Sequence, residues 1–272
     1  MPEGDTIHRA AGTLDRALAG RQLTNISSAY PMIIRLEETA EPLSGRTIEK
    51  VFPRGKHLII QFSGDLCLRT HMRMSGSWHL YRKGERWRRS RSAARIVLET
   101  EEWTAVGFSI PDASLGPCRE IGKQAVSPEV DLLSDSYDEE ASIAVMKSLE
   151  GRAIGEVLLD QRVAGGVGNV YKSETMFLGS VHPFTLVRDL DESDLRKLLR
   201  VARELLQRNV DPARQDGGIR TTLHSLDPSN RLWVYRRKGK PCLRCGHVIL
   251  MKRQGPGARS SYWCPNCQRL KN

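Results

Sequence analysis

Two Cys-x2-Cys pairs near the C-terminus constrain this chain of 272 residues more than any other feature. Cys242 and Cys245 form the first pair, Cys264 and Cys267 the second, and eighteen residues separate the pairs. Four thiolates placed in this way can occupy the corners of one tetrahedron, the geometry of a closed structural Zn²⁺ site. Two disulfides are the alternative, which we disfavour because no secretory signal is evident. The sequence therefore predicts a finger folded around one structural Zn²⁺.

The same segment carries the positive charge of the chain. Residues 231–272 contain eleven Lys and Arg and no Asp or Glu, whereas residues 1–230 contain 31 basic and 32 acidic residues. Four thiolates and one Zn²⁺ would leave the segment near +9. Such one-sided charge is typical of a protein that binds a polyanion, most simply nucleic-acid phosphates. A solvated basic tail is the alternative, but such a tail would not fold around a metal.

Composition limits the number of domains and the classes of protein that are possible. The chain is 39% hydrophobic, enough for a true core, and its length suggests two domains besides the finger. No apolar run reaches eighteen residues, so no membrane span is expected. The N-terminal segment lacks an apolar signal region, which predicts a cytoplasmic, nucleoid-associated protein. Cys67 and Cys118 are expected to be reduced thiols.

The first 110 residues change from a helical to a β pattern. Apolar residues recur with a 3.6-residue period over 6–19, with Asp5 as the expected N-cap. Short β-rich runs then predict an antiparallel sandwich or barrel. The predicted strands are 47–52, 58–62, 67–71, 77–81, 95–98 and 103–108. Residues 82–95 contain seven basic residues and one Glu, which predicts a solvated loop or, as second choice, a nucleic-acid contact.

The second half is helical. Residues 111–140 contain three prolines and then six acidic residues, so we interpret them as an interdomain boundary. Helical periods follow, most clearly over 143–149 and 191–209, and 232–235 is expected to be the first strand of the finger. The predicted domains are a β-sandwich over 1–128, a linker over 129–140, a helical domain over 141–230 and the finger over 231–272.

A glycine-rich turn, residues 165–168, leads directly into a predicted helix that begins with Asn169. Glycines at this position leave the first N–H groups of the helix free and allow a phosphate to approach closely. Asn169 could add a side-chain donor to the same phosphate. Most such turns only connect helices, but the basic finger favours phosphate binding here.

Five motifs follow one another in an order found in a known family. They are Pro2-Glu3-Gly4, Arg54-Gly55-Lys56-His57, the stretch from His71 to Gly76, Gly168-Asn169-x-Tyr171-x-x-Glu174, and the zinc finger. Over nearly its whole length the chain resembles the formamidopyrimidine-DNA glycosylase/endonuclease VIII family of DNA repair enzymes. The resemblance implies an α+β fold with a β-sandwich domain, a helix-two-turn-helix domain and the four-cysteine zinc finger. It also implies that damaged DNA is held in the cleft between the domains, and we expect the protein to be a monomer.

Pro2 is the expected nucleophile. If Met1 is removed, Pro2 has a free secondary amine with a pKa near ~8, well below that of Lys, and the adjacent helix terminus lowers it further. Attack on C1′ of a damaged nucleotide expels the base and yields an iminium ion, which acidifies the C2′ hydrogens and permits β-elimination of the 3′ phosphate. If Met1 is retained, this nucleophile does not exist and the three residues are merely a start sequence.

Three further catalytic roles follow from the resemblance. Glu3 is the acid/base that helps to open the deoxyribose ring. Lys56 contacts a phosphate beside the lesion and assists elimination. Arg259, five residues before Cys264, matches the finger arginine that contacts the other flanking phosphate and promotes δ-elimination, a role that suits a guanidinium.

Base removal also requires a residue that fills the space left by the flipped nucleotide. Met74, in a turn with Arg73 and Ser75, matches this residue in the family, so Met74 and Arg73 are expected to contact DNA together with Asn169. A buried core methionine is the alternative, which the polar neighbours disfavour.

Several departures from the family pattern concern the substrate. Thr6 stands where the family has a second acidic residue, and Gly107-Phe108-Ser109 is the nearest match to an Arg-Phe pair of the formamidopyrimidine branch. The segment between residues 223 and 234 is short, so the lid of that branch over 8-oxoguanine is expected to be missing. We therefore predict a bifunctional glycosylase/abasic-site lyase of the endonuclease VIII type, which removes oxidised pyrimidines. The alternatives are a formamidopyrimidine/8-oxoguanine glycosylase and a non-catalytic zinc-finger protein that binds abasic or nicked DNA.

Overall fold

The computed structural model describes residues 2–211, 219–223 and 230–270. They form two compact units, Met1–Ala125 and Val126–Asn272. The helices of the N-terminal unit are α1 (Gly4–Leu18), α2 (Pro31–Glu37) and α3 (Cys118–Lys123). Its strands are β1 (Arg21–Gln22), β2 (Asn25–Ser28), β3 (Thr47–Arg54), β4 (His57–Phe62), β5 (Leu66–His71), β6 (Ser77–Arg82), β7 (Ala94–Glu99), β8 (Trp103–Phe108) and β9 (Asp112–Pro117).

Two antiparallel sheets form the N-terminal unit, one with the order β1-β3-β4-β5-β9 and one with the order β2-β7-β8-β6. Apolar side chains of both sheets share one core with α1, whose buried face repeats at the spacing of helical turns. The six predicted strands and the β-sandwich are confirmed, because short β-rich runs separated by turn residues are visible in the sequence. Helix α2 was not predicted, since seven residues are too few for a clear helical period.

Helix α1 begins earlier than the sequence predicted. The Glu3 carbonyl already accepts the N–H groups of Thr6 (3.0 Å) and Ile7 (3.1 Å), so Glu3 is the N-cap residue. Asp5 as N-cap is therefore wrong: this residue lies in the first turn, is fully buried and pairs with Arg9 at 3.5 Å.

Part of the predicted boundary over residues 111–140 belongs to the N-terminal unit. Strand β9 pairs with β5 from His71↔Asp112 to Leu66↔Pro117, and α3 follows it directly. Reading this part as linker was wrong because Pro111 precedes the strand and Pro117 ends it, where a proline removes no central ladder hydrogen bond. The other predicted domain limits remain predictions.

The expectation of two reduced thiols is also wrong. Cys67 in β5 and Cys118 at the start of α3 form a disulfide, with Cα atoms 4.8 Å apart. Pairing of β5 with β9 places Cys67 opposite Gly116, and the Cys118 N–H donates to the Asp65 carbonyl at 3.1 Å. The two sulfurs therefore meet through a sheet register that the 51-residue separation conceals in the sequence.

The C-terminal unit is helical and ends in the finger. Its elements are α4 (Glu139–Ser148), α5 (Ile154–Val157), α6 (Asn169–Gly179), α7 (Glu192–Val210), β10 (Leu250–Gln254) and β11 (Arg259–Trp263). Helices α4 and α7 confirm the two predicted helical periods, and the Asp191 carboxylate caps α7 by accepting the Asp194 N–H at 2.8 Å. In the part of the chain that the structure describes, no helix could span a membrane.

The strand predicted over 232–235 is wrong. The carboxylate of Glu174 in α6 accepts the N–H groups of Trp233, Val234 and Tyr235 at 2.8–2.9 Å. Because one buried carboxylate takes three consecutive donors, this segment curls around it and cannot donate the same groups to a ladder. The finger instead contains the hairpin β10–β11, which runs from Leu250↔Trp263 to Gln254↔Arg259.

Candidate catalytic and nucleic-acid site

Pro2 and Glu3 lie at the N-terminus of α1. Glu3 is fully buried, whereas Pro2 is half-buried and lines an open pocket of about 260 Å³ together with Thr6, Met72 and Gly76. The positive end of a helix lowers the pKa of an amine placed there, because it disfavours the protonated form. This position would therefore favour a neutral, nucleophilic amine at Pro2.

Residues 72–76 form the turn that carries Met74, the Met74 turn. Met72 and Gly76 of this turn line the same pocket. The Gly76 N–H donates to the Met72 carbonyl at 2.8 Å, and a Cβ on Gly76 would lie 2.6 Å from that oxygen. Only glycine fits there, which fixes the turn. Met74 is 65% exposed while Met72 is 2% exposed, so the alternative of a core methionine at position 74 is wrong.

A cross-strand histidine pair, His57 and His71, lies next to the turn, with ring centroids 4.8 Å apart. Burial is the main cause that lowers the pKa of His57 to about 3, and burial together with the charge of Arg73 lowers that of His71 to about 4. The Arg73 N–H donates to Nδ1 of His71 at 3.0 Å, which requires a lone pair on that nitrogen. Both rings are therefore neutral at pH 7.

Lys56 stands near this histidine pair, in the turn between β3 and β4 where Gly55 has φ +58°. Asp112 is the carboxylate that pairs with the neighbouring guanidiniums, at 3.1 Å from Arg69 and 3.3 Å from Arg73. Asp112 thus binds two guanidiniums here, and Lys56 lies close enough to His71 for its charge to lower the pKa of that ring. Sequence reasoning placed His71 only at the start of a motif and missed Arg69 and Asp112, which are brought together by the pairing of β5 with β9.

In the C-terminal unit, Asn169 is the first residue of α6, after Gly168 in extended conformation. Its Oδ1 is buried and has no hydrogen-bond partner in the described part of the chain. Gly165 fixes the preceding turn, since a Cβ there would lie 2.8 Å from the Asp131 Cα, and Gly166 has φ +92°. Asn169 therefore places a side-chain amide at the N-terminal end of α6, an end that favours an anion.

Helix α6 also holds the strand that begins with Arg259. Nζ of the fully buried Lys172 donates to the Ser260 carbonyl (3.0 Å) and to Oγ of Ser261 (2.8 Å). Ser261 in turn donates to Oε1 of Gln254 at 2.7 Å, across the hairpin. Sequence reasoning missed Lys172, which is a basic residue in a helix whose residues are nearly all buried.

Arg259 itself is exposed, at the tip of the finger hairpin. Together with Arg152, Glu156 and Gly257 it lines an open pocket of about 240 Å³. Its guanidinium is therefore accessible to a phosphate, while the residues that follow it are fixed by α6.

The four finger cysteines fit a zinc ion. Their Sγ atoms all lie within 4.8 Å of one another, and Cys245 is 3.4 Å from both Cys264 and Cys267. A tetrahedron with Zn–S bonds near 2.3 Å has edges of ~3.8 Å, within the range of these separations. A hydrogen bond from the His247 backbone lowers the pKa of Cys245 to about 5, which favours a thiolate. The protein binds one structural Zn²⁺ here, with protein ligands in all four positions.

Three domain models match consecutive parts of this chain. They are the formamidopyrimidine-DNA glycosylase N-terminal domain (residues 1–110), its H2TH domain (130–222) and a zinc finger found in FPG and IleRS (239–270). Over 98% of its length the chain is 39% identical to a probable endonuclease 8 2 of Streptomyces coelicolor, of which it covers 94%. The chain belongs to the formamidopyrimidine-DNA glycosylase/endonuclease VIII family. The predicted family and α+β fold are confirmed.

Two other relatives extend this result. A DNA-(apurinic or apyrimidinic site) lyase Nei2 of Mycolicibacterium smegmatis is 33% identical, with 98% of this chain and 99% of the relative covered. In fold, the chain is similar to Lactococcus lactis Fpg in complex with DNA containing an abasic site, with a TM-score of 0.79, 23% identity and coverage of 98% and 99%. The family member described here is a DNA glycosylase and abasic-site lyase of base excision repair.

Proposed function

We propose that this enzyme removes oxidised pyrimidines through a Schiff base at Pro2 and cleaves the abasic product by β,δ-elimination. The observation that carries the proposal is the placement of Pro2 and Glu3 at the positive end of α1, beside the pocket that reaches the Met74 turn. A neutral amine at Pro2 requires the removal of Met1. The proposal therefore includes that processing step.

In the proposed reaction, the nitrogen of Pro2 attacks C1′ and the bond from C1′ to the base breaks, so the base leaves with the electron pair and takes up the proton that the Pro2 nitrogen loses. Glu3, buried at the helix start, protonates O4′ as the sugar ring opens and the iminium ion forms. Loss of a C2′ proton then expels the 3′ phosphate, and a second elimination expels the 5′ phosphate. The iminium supplies the electron sink for the first elimination.

Phosphate binding is the proposed role of four other residues. Lys56 lies close to His71, and Asn169, the first residue of α6, can donate its side-chain N–H to a phosphate oxygen. Arg259 is exposed on a strand that Lys172 holds. Arg73, 61% exposed in its side chain, would contact the backbone beside Met74, which would fill the space left by the flipped base.

The preference for pyrimidines rests on three observations. Several relatives bear the name endonuclease 8, among them the Streptomyces coelicolor protein and one of Mycobacterium tuberculosis that is 36% identical. Thr6 lines the Pro2 pocket where the family has a carboxylate, and Gly107 with Phe108 occupies the end of β8 without an arginine. The absence of a lid over residues 223–234 remains a prediction, because 224–229 lie outside the described residues.

Borohydride trapping tests this function. Duplexes that contain an abasic site, thymine glycol or 8-oxoguanine are incubated with the enzyme, reduced and mapped. An adduct at Pro2 with thymine glycol, but little with 8-oxoguanine, is expected. Trapping mainly with 8-oxoguanine would favour the formamidopyrimidine branch, and no adduct from zinc-loaded protein that has lost Met1 would favour a DNA-binding protein without catalysis.

Two variants separate the roles of the adjacent residues. Pro2→Gly is expected to weaken elimination, and Glu3→Gln to stop base excision while largely preserving DNA binding. Glu38→Gln, at an exposed carboxylate, is the matched control. Unchanged excision by Glu3→Gln would remove Glu3 from the mechanism. We further propose action as a monomer on nucleoid DNA in the cytoplasm, which sedimentation of the enzyme with one duplex would test.

A further inference from the structure

The connection between β6 and β7, residues 82–95, carries seven cations within fourteen residues; we name it the basic strip. Arg82 pairs with Glu102 at 3.1 Å, a carboxylate that it shares with Arg21, and its guanidinium lies 3.9 Å from the Trp103 ring centroid. Within the described residues, no carboxylate lies within 4.0 Å of any of the six other cations. These six are Lys83, Arg86, Arg88, Arg89, Arg91 and Arg95.

Most residues of the basic strip are exposed, as the charge predicted, but the strip is attached to the second sheet. Trp87 packs on the outer face of the second sheet, with ring centroids 5.8 Å from Phe108 and 6.4 Å from Tyr81. The Arg88 N–H donates to the Tyr81 hydroxyl at 3.1 Å. The backbone is therefore anchored to the sheet, and the exposed cations are presented at defined positions.

One part of the basic strip is bonded to the Met74 turn. The Arg89 guanidinium donates to Oγ of Ser77 at 2.9 Å and to Oγ of Ser109 at 3.3 Å. Ser77 follows the turn directly, and Ser75 within it donates to the Ser109 carbonyl at 3.5 Å. The positive surface is thus continuous with the turn that is proposed to enter the DNA.

Another part of the basic strip borders an open pocket of about 340 Å³. Arg91 and Arg95 line this pocket together with Trp87 and the edge-strand serines Ser27 and Ser28. The Arg91 guanidinium lies 4.7 Å from the Trp87 ring centroid, which fixes its position. Two guanidiniums beside hydroxyl groups form a surface for a phosphodiester, since guanidinium bonds phosphate oxygens in a bidentate manner.

We propose that the basic strip is a second DNA-binding surface that holds the sugar–phosphate backbone of the duplex outside the lesion. The inference rests on the proposed function, in which the lesion itself is bound at the Pro2 pocket. β6, which the strip follows, is six residues long and therefore spans ~20 Å, the rise of about five or six nucleotides of one strand. Arginines without carboxylate partners make contacts of this kind independent of sequence.

Binding measurements with duplexes of two lengths test the inference. Both duplexes contain a central tetrahydrofuran abasic analogue; one has about 10 base pairs and the other about 30, so only the longer one extends beyond the ~20 Å that β6 spans from the Met74 turn. The variant is Arg86→Gln/Arg88→Gln/Arg91→Gln. Arg35→Gln/Arg119→Gln/Lys123→Gln removes the same charge from exposed positions of the same unit and is the matched control. Arg86→Gln/Arg88→Gln spares the contact with Trp87 if the triple variant misfolds.

The strip variant is expected to bind the long duplex about tenfold more weakly at physiological salt, with a salt slope that is smaller by about 2, since each phosphate contact contributes about 0.9. Its affinity for the short duplex, and that of the control for both, should change less than about twofold. An equal loss on both duplexes, or none on either, overturns the inference while leaving the proposed function intact. If the wild-type enzyme binds neither duplex, the proposed function fails first.

Discussion

The two units of this enzyme hold their functional residues by different means. In the N-terminal unit, Pro2 and the Met74 turn are placed by a helix end and a strand register over one apolar core. In the C-terminal unit, the residues around Asn169 and Arg259 are held by buried polar groups and by the four zinc ligands.

This contrast predicts how each unit responds to substitution. A buried polar group that loses its partner costs about 3–5 kcal/mol when the remaining group is charged, because the charge stays away from water. Substitution of an exposed residue usually changes the unfolding free energy by no more than about 0.5 kcal/mol. Substitutions of the buried polar residues that hold the C-terminal site should therefore damage the fold together with the function, whereas those of exposed N-terminal residues such as Met74 should separate the two.

Loss of a zinc ligand should have the largest effect. Cys264→Ser leaves three ligands, and metal binding contributes about 10–16 kcal/mol to the folding of such fingers. We expect zinc content to fall close to zero and strand cleavage to be lost. Atomic absorption and a nicking assay measure both. Cys67→Ser/Cys118→Ser is the control and should retain its zinc; a fully loaded and active Cys264→Ser protein would contradict the assignment.

Glu174→Gln should be the next most damaging change. Its carboxylate accepts three backbone N–H groups and the hydroxyl of Thr222, although burial raises its pKa. An amide would turn a donor toward those donors and should lower the unfolding free energy by about 3 kcal/mol. Urea denaturation measures the loss, with the exposed Glu204→Gln as control. A loss below about 1 kcal/mol would show that the hydrogen bonds to Glu174 are not what holds residues 233–235 in place.

The disulfide is a covalent link within a unit that is otherwise held together by its apolar core. Cross-linking across 51 residues restricts the unfolded chain and stabilises the fold by about 2–4 kcal/mol. Reduction should lower the melting temperature of the wild-type protein, whereas Cys67→Ser/Cys118→Ser should melt at the same temperature with and without reductant. Two extra titratable thiols in the untreated wild-type protein would show that the bond does not form in solution.

Acid should weaken the N-terminal unit through its histidine pair. Because the folded pKa of His57 is about 3 and that of His71 about 4, against 6.5 unfolded, the unfolded chain takes up protons first as the pH falls. Stability is then lost from about pH 6.5 downward, with a limit of about 1.4 kcal/mol per pH unit for each ring, reduced by solvent at these partly exposed side chains. Unfolding at pH 5–7 should show a shallower dependence for His57→Gln; an identical slope would contradict the low pKa.

The smallest effect on stability is expected at Met74. Met74→Ala should change the unfolding free energy by less than about 0.5 kcal/mol, because the side chain is mostly exposed. It should nevertheless weaken binding to abasic-site DNA, which fluorescence anisotropy measures. Met72→Ala, two residues away and buried, should cost about 2–5 kcal/mol. Equal losses of unfolding free energy for the two variants would show that the buried Met72 and the exposed Met74 contribute equally to stability.

Local patterns were sufficient to predict much of this fold. Strands such as β4 and β8 are short runs rich in apolar and β-branched residues, and α7 combines a helical period with Asp191 as its cap, so these elements are visible in short windows. The zinc ligands were equally clear, because their spacing alone brings them together. The resemblance added Pro2, Glu3 and Lys56, whose chemistry depends on neighbours that spacing does not reveal.

What the sequence did not reveal depends on distant partners. Strand β9 looks like a linker until β5 pairs with it, and residues 232–235 look like a strand until Glu174 takes their N–H groups. Arg89 is one basic residue among seven, yet its bonds to Ser77 and Ser109 join two loops. In each case a contact between distant residues overrides the local preference.

The bond between Cys67 and Cys118 also has a topological consequence. It closes residues 67–118 into a covalent ring that contains both the Met74 turn and the basic strip. A protease that cuts once within the arginine-rich strip would open the ring without separating the chain. The nicked enzyme would migrate as one species until a reductant divides it, so the surface that is richest in tryptic sites is also the one from which no piece is released by a single cut.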